Sequence, residues 1–294
     1  MSIILKKYGL IIFSALLFII YLINPFQIFV SGNELTFFLI TISCLTIEFF
    51  IRKAKSGEEI YMRPIAAMKA MEEAVGRATE MGSSVLYVPG ISGLDEIDTI
   101  SGVIVLGHVA GMTAEYEANL HVPCCVPIVM EAAKESCKEA YLKKGRPDLY
   151  NDNMVHYVTD DQFAYAAGVN GIMLREKPAA CFYQGQFFAE SLILAETGNS
   201  IGAIQIAGTG SSHQIPFFIT ACDYTLIGEE FLTASAILSG KKELIGSIKG
   251  QDMVKYGIIA SMILLLASLD ASLVEMYNTE NFQPESFSNN LNTA

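Results

Sequence analysis

The sequence predicts an α/β protein: a Rossmann-like layered domain with a mainly parallel sheet, flanked by an N-terminal transmembrane helix hairpin and one C-terminal transmembrane helix. Three observations carry this reading. Between residues 59 and 250, short apolar runs of strand length alternate with stretches of helical period. Two long apolar segments precede that region and a third follows it. Apolar residues make up 52% of the chain against 17% charged, and the mean hydropathy is +0.39, above the usual range for a soluble protein.

Residues 1–58 read as the hairpin. Tyr8 to Ile23 is unbroken apolar sequence, extended by Pro25 to Val30, which places a first span at about 8–30. The run is longer than the apolar region of a signal peptide and no small-x-small cleavage site follows it. Ser31-Gly32-Asn33 makes a polar turn, and Leu35 to Ile51 is the second span, closed by Arg52-Lys53-Ala54-Lys55. Lys6 and Lys7 share a side with these cations, so the N-terminus and the domain that follows are expected in the cytoplasm. Glu48 lies one turn from Arg52 and is expected to reach the headgroups.

The α/β domain is expected over 59–250. Ile65, Met68, Met71, Val75 and Ala78 recur at helical spacing and Gly82 ends that helix. Ser84 to Val88 is a buried strand stopped by Pro89-Gly90. A helix over Thr99–Tyr116, a strand over Leu120–Cys125, a helix over Val126–Lys144 and a strand over Met154–Val158 continue the alternation. A helix over Asp161–Arg175, with Asp160 as its N-cap, a strand over Ala180–Tyr183 and a helix over Phe188–Glu196 follow. Ile201–Ala207 and Ile215–Cys222 read as two successive buried strands, which suggests an antiparallel neighbour or a sheet edge. Gly228 to Ser239 is the last helix of the domain, stopped by Gly240.

A C-terminal span is expected over 251–274. Lys241, Lys242, Lys249 and Lys255 precede or open it, whereas the tail at 275–294 is polar, has no Lys or Arg, and is expected to be disordered and outside the cell. The motifs AMEEAVGRATEMG, YVPGISGL, DDQFAYAAGVNGIMLREKPAA, FFAESLILAETGNSIGAIQIAGTG and ACDYTLIGEE resemble those of an uncharacterised family of prokaryotic membrane-anchored proteins, a domain of unknown function. The resemblance covers about residues 60 to 255 and implies no catalytic residues.

A formal charge of −12 argues against nucleic acid as a partner. The six cysteines show neither a disulfide framework nor zinc-ligand spacing, so no metal site is expected, and no cofactor is assigned. Two glycine loops that follow strands are the candidate ligand sites. One is Gly208-Thr209-Gly210-Ser211-Ser212-His213, which reads either as an anion-binding turn or as a plain connection between strands. The other contains Gly90, Ser92 and Gly93, followed by Asp95, Glu96 and Asp98, acids that would repel a phosphate unless a divalent cation bridged them. Glu196 and Asn199 join the candidates as polar groups in apolar surroundings.

Two functions are in competition. Small residues at Gly102, Gly107, Ala110 and Gly111, and at Ala164, Ala166, Ala167, Gly168 and Gly171, predict close helix packing. They point to a homo-oligomer in the lipid bilayer or a scaffold subunit of a membrane complex. The alternative is a membrane-tethered enzyme that binds a small molecule or nucleotide with its glycine loops.

Overall fold

The computed structural model describes Ile19, residues 34–58 and residues 60–281. Apart from Ile19, the expected span at 8–30 lies outside the described residues, as does the tail beyond 281. The chain divides into two compact units, Tyr61–Lys241 and the flanking segments up to Ile60 and from Lys242.

Helix α1 (Glu34–Lys55) belongs to the flanking unit. The Tyr61–Lys241 unit runs α2 (Ala66–Glu80), β1 (Val85–Val88), α3 (Ile97–Tyr116), β2 (Leu120–Cys124), α4 (Pro127–Lys143) and β3 (Val155–Tyr157). It continues with α5 (Gln162–Glu176), β4 (Ala180–Gln184), α6 (Glu190–Ser200), β5 (Ile204–Thr209), α7 (Ile215–Ala221), β6 (Tyr224–Ile227) and α8 (Glu229–Ser239). Helix α9 (Lys242–Asn281) returns to the flanking unit.

All six strands are parallel, in the order β3-β2-β1-β4-β5-β6. Successive side chains of a strand point to opposite faces, and the sheet builds one core on each. Val85 and Tyr87 of β1, with Ala180 and Phe182 of β4, pack with α2, α3, α4 and α8. Leu86, Val88, Cys181 and Tyr183 pack with α5, α6 and α7. Both faces being covered explains why these strands read as continuous apolar runs. Tyr183 stacks on Phe218 at 6.0 Å between ring centroids, and Phe187 meets Phe218 edge-on at 5.3 Å. Each such pair adds about 1 kcal/mol beyond its buried area.

Three expectations are corrected. Ile215–Cys222 is not a strand but helix α7 with Cys222 as its extended C-cap, and no antiparallel strand is present among the described residues. An apolar run of this length suits either state. Pro216 in the first turn decides it, since its ring presets helical φ and an N–H is not needed there. The partner of β5 is instead β6, a parallel edge strand with only Leu226 buried. The N-cap of α5 is Asp161, not Asp160: its carboxylate accepts from Ala164 N–H at 2.8 Å, a contact worth about 1 kcal/mol. Residues 275–281 are the end of α9 rather than part of an unstructured tail.

In the flanking unit, α1 and α9 pack closely through two glycines one turn apart. A Cβ on Gly246 would stand 2.7 Å from Ile51 Cα, and one on Gly250 would stand 2.6 Å from Ile47 Cα. Any side chain there would force the two backbones apart. Lys55 pairs with Glu243 at 3.4 Å at the same end.

Candidate functional site

The strand order reverses between β1 and β4, the point at which open α/β sheets leave a crevice beyond the strands' carboxyl ends. Here that point is closed by backbone. Gly90 (φ +82°) and Gly185 (φ +143°) hold conformations that side chains resist, and each lies against the other loop. A Cβ on Gly90 would be 2.5 Å from Gln186 O, and a Cβ on Gly185 would be 2.5 Å from Pro89 O. Ile91 N–H donates to Gln186 O at 3.0 Å across the same contact. The β1–α3 and β4–α6 loops are thereby locked together.

Beside this seal, a cleft of about 570 Å³ opens over β1, β5 and β6. Its walls are Asp95, Glu96, Ile97 and Asp98 at the start of α3, Gln186, the loop Gly210-Ser211-Ser212-His213, and Gly228, Glu229 and Leu232 at the start of α8. The β5 loop is tied to α3 across the cleft: Gly210 N–H donates to Asp98 Oδ2 at 2.9 Å. A Cβ on Gly210 would stand 2.5 Å from the other Asp98 oxygen. Burial pushes the Asp98 carboxyl up from its ordinary value, and the Gly210 N–H draws it partly back. Asp98 and Glu229 occupy the first turns of their helices, where the positive end of the helix dipole favours them.

The predicted site residues fall into three groups. Gly210, Ser211, Ser212 and His213 line the cleft, while Gly208 and Thr209 sit buried behind it at the end of β5. Thr209 Oγ1 accepts from Ser211 N–H at 3.2 Å and shapes the turn. This turn leads from a strand into helix α7, so the reading of a plain strand-to-strand connection is corrected. Gly90, Ser92 and Gly93 form the neighbouring loop: Gly90 seals the switch point, Ser92 O accepts from Thr99 Oγ1 at 3.4 Å, and Gly93 O accepts from Glu96 N–H at 3.3 Å. Glu196 and Asn199 are exposed on the last turns of α6, which runs away from the cleft, and they do not join it.

Ile97, Gln186, Gly228, Glu229 and Leu232 are the cleft residues that sequence reasoning missed. Gln186 follows the Gln184-Gly185 end of a strand, and a glycine in that position was the one signal available for it.

The arrangement offers carboxylates, hydroxyls and one imidazole to a small molecule. Among the described residues no group of three or more His, Cys, Asp or Glu side chains is placed to hold a metal ion. The thiols of Cys124, Cys137, Cys181 and Cys222 are poor nucleophiles, because burial, complete at the first three and partial at Cys222, pushes each of them up to about 12.

No curated protein and no solved structure matches the chain. One family does, a domain of unknown function designated DUF6754, over residues 25–281. That match takes in α1, the whole sheet, the cleft and α9, so the chain belongs to the DUF6754 family.

Proposed function

We propose that this chain holds a ligand-binding α/β domain at a membrane, with a small hydroxyl- or amine-bearing molecule bound in the cleft over β1, β5 and β6. The cleft is the observation that carries the reading: a concave, polar site at the carboxyl ends of parallel strands, where this fold class binds ligands. Asp95, Glu96, Asp98 and Glu229 favour an uncharged or cationic ligand and disfavour a free phosphate.

Anchoring is supported by apolar side chains that the flanking unit leaves uncovered. Phe38, Leu39, Ile40, Ile42 and Phe49 of α1, and Ile258, Ile259, Met262, Ile263 and Leu266 of α9, are each 45% to 61% exposed. Apolar surface of this extent rarely faces water. Among the described residues, one helix is both long and apolar enough to cross a membrane by composition, and it is α3, most of which is buried in the α/β unit. The anchor therefore rests on the exposure of α1 and α9 and on the sequence at 8–30. The cations Arg52, Lys53, Lys55, Lys242 and Lys249 cluster at one end of the α1–α9 pair, which supports an orientation with the α/β domain in the cytoplasm and the C-terminal tail outside. A prokaryotic cell membrane is the setting that the resemblance implies.

A scaffold built by self-association has weaker support. Gly102, Gly107 and Gly168 pack against Gln184, Ser136 and Val158 of their own unit, so three of the small residues that predicted it already have partners.

Native mass spectrometry of the detergent-solubilised full-length protein tests the ligand reading, and it reads the subunit number as well. The expected spectrum shows a constant small added mass that disappears in Gly210→Val, whose side chain would displace the Asp98 carboxylate. Bare protein mass in every preparation would overturn it. Recovery of the chain in the soluble fraction after a carbonate wash of membranes would overturn the anchor.

A further inference from the structure

A second groove, of about 430 Å³, lies on the other side of α3 from the sheet, between α3, α4 and the end of α8. We infer that it binds a phosphate-bearing anion through Lys143, Lys241 and His108, and that the anion is the headgroup of a phospholipid. The choice of a lipid as the source rests on the membrane anchoring proposed above; the anion site itself does not.

The charge balance sets this groove apart from the acidic cleft. Lys143 and Lys241 face Glu139 as the one lining carboxylate, in a chain whose net charge is −12. Lys143 Nζ lies 2.7 Å from Glu139, and a hydrogen bond from Lys143 together with the charge of Lys241 holds the Glu139 carboxyl below its ordinary value. The groove's lining thus holds one carboxylate against two ammonium groups. An incoming dianion would neutralise both, which Glu139 alone does not.

His108 lines the same groove from α3. Burial holds its imidazole below the ordinary value; nearby Glu72 raises it and Lys144 lowers it further. It is neutral at physiological pH and offers a ring N–H to an oxygen acceptor.

The backbone directs Lys241 to this place. Gly240 turns the chain with a left-handed φ of +63°, and Lys241 N–H donates to Ser239 Oγ at 3.2 Å. Lys241 is also the residue immediately before α9 in the chain. The volume exceeds what a phosphate group needs and leaves room for the glycerol portion of a headgroup.

The test is calorimetric titration of the full-length protein, in an uncharged detergent, with short-chain dioctanoyl phosphatidic acid and separately with inorganic phosphate. Saturable binding of the lipid is expected, weakened about tenfold or more in Lys241→Ala or Lys143→Ala, since each substitution removes a charge-assisted contact. Glu139→Gln is expected to tighten binding severalfold, a gain that a merely damaged fold would not produce. Melting curves matching the parent show that each variant is folded. Equal affinity for inorganic phosphate would uphold the anion site and overturn the lipid as its source. Absence of saturable binding by either probe, or unchanged affinity in both lysine variants, would overturn the site. If the carbonate wash releases the chain while phosphate still binds, the anchor fails and the groove stands.

Discussion

Helix α3 and the pair α1–α9 are all rich in large apolar residues, yet they meet opposite fates. In α3, Val105, Leu106 and Val109 are fully buried, because the sheet, α4 and α8 cover it. In α1 and α9, residues of the same kind remain exposed, because among the described residues of their unit each helix packs mainly against the other. Apolar content says how much surface must be hidden; the neighbouring elements say from what. Helix α3 lies in the chain between two strands, β1 and β2, whose sheet supplies its cover, whereas among the described residues no strand adjoins α1 or α9.

The largest test of this contrast is Gly102→Leu. Any Cβ at residue 102 meets the backbone carbonyl of Gln184, which cannot yield without moving β4. A loss of about 3 kcal/mol or outright failure to fold is expected, followed by urea unfolding with near-ultraviolet circular dichroism. Parent-like stability would mean that α3 is not seated on the sheet at this point.

A second, smaller effect is expected from Gly250→Leu, which should act on the flanking unit alone. Separation of α1 from α9 should cost about 1 to 3 kcal/mol and speed proteolysis of the pair, with the aromatic signal of the α/β unit unchanged. Loss of both together would show that the two units unfold as one.

The smallest effect belongs to Asp98→Asn. Burial raises the Asp98 pKa, so the folded state keeps this proton longer than the unfolded chain does. The resulting stability is fully present below the ordinary carboxylate range and is lost as pH rises through the raised folded value. Asparagine undergoes no such loss. The variant should therefore melt slightly above the parent at neutral pH, by less than about 1 kcal/mol for a half-exposed group, with the difference vanishing in acid. A difference that grows in acid would reverse the sign of the argument.

Most of the sheet was legible in the sequence because Gly and Pro punctuate it: Pro89-Gly90 ends β1, and Gly240 ends α8. Strand β6 was missed because it is an edge strand of four residues with one buried side chain, too little to make a pattern. Helix α7 was read as a strand because its seven residues, IPFFITA, are apolar enough to suit either form, and the weight of Pro216 was overlooked. In the cleft, the β5 loop could be read from glycine following a strand. The role of Gln186 could not, since it depends on a carbonyl meeting a loop nearly a hundred positions earlier in the chain. Glu196 was misleading for a geometric reason: about two turns into a helix that starts at the sheet's carboxyl end, it has already been carried away from the cleft.

Helix α9 has 40 residues and so extends about 60 Å, roughly twice the thickness of a bilayer's hydrocarbon layer. Such a rod cannot be submerged along its whole length. Under the proposed anchoring, with residues 258–266 in lipid, its first two to three turns would project into water, and these contain Gly246 and Gly250. The close contact between α1 and α9 at these two glycines would then act as a collar at the watery end of the proposed anchor, the end that carries Arg52, Lys53 and Lys55.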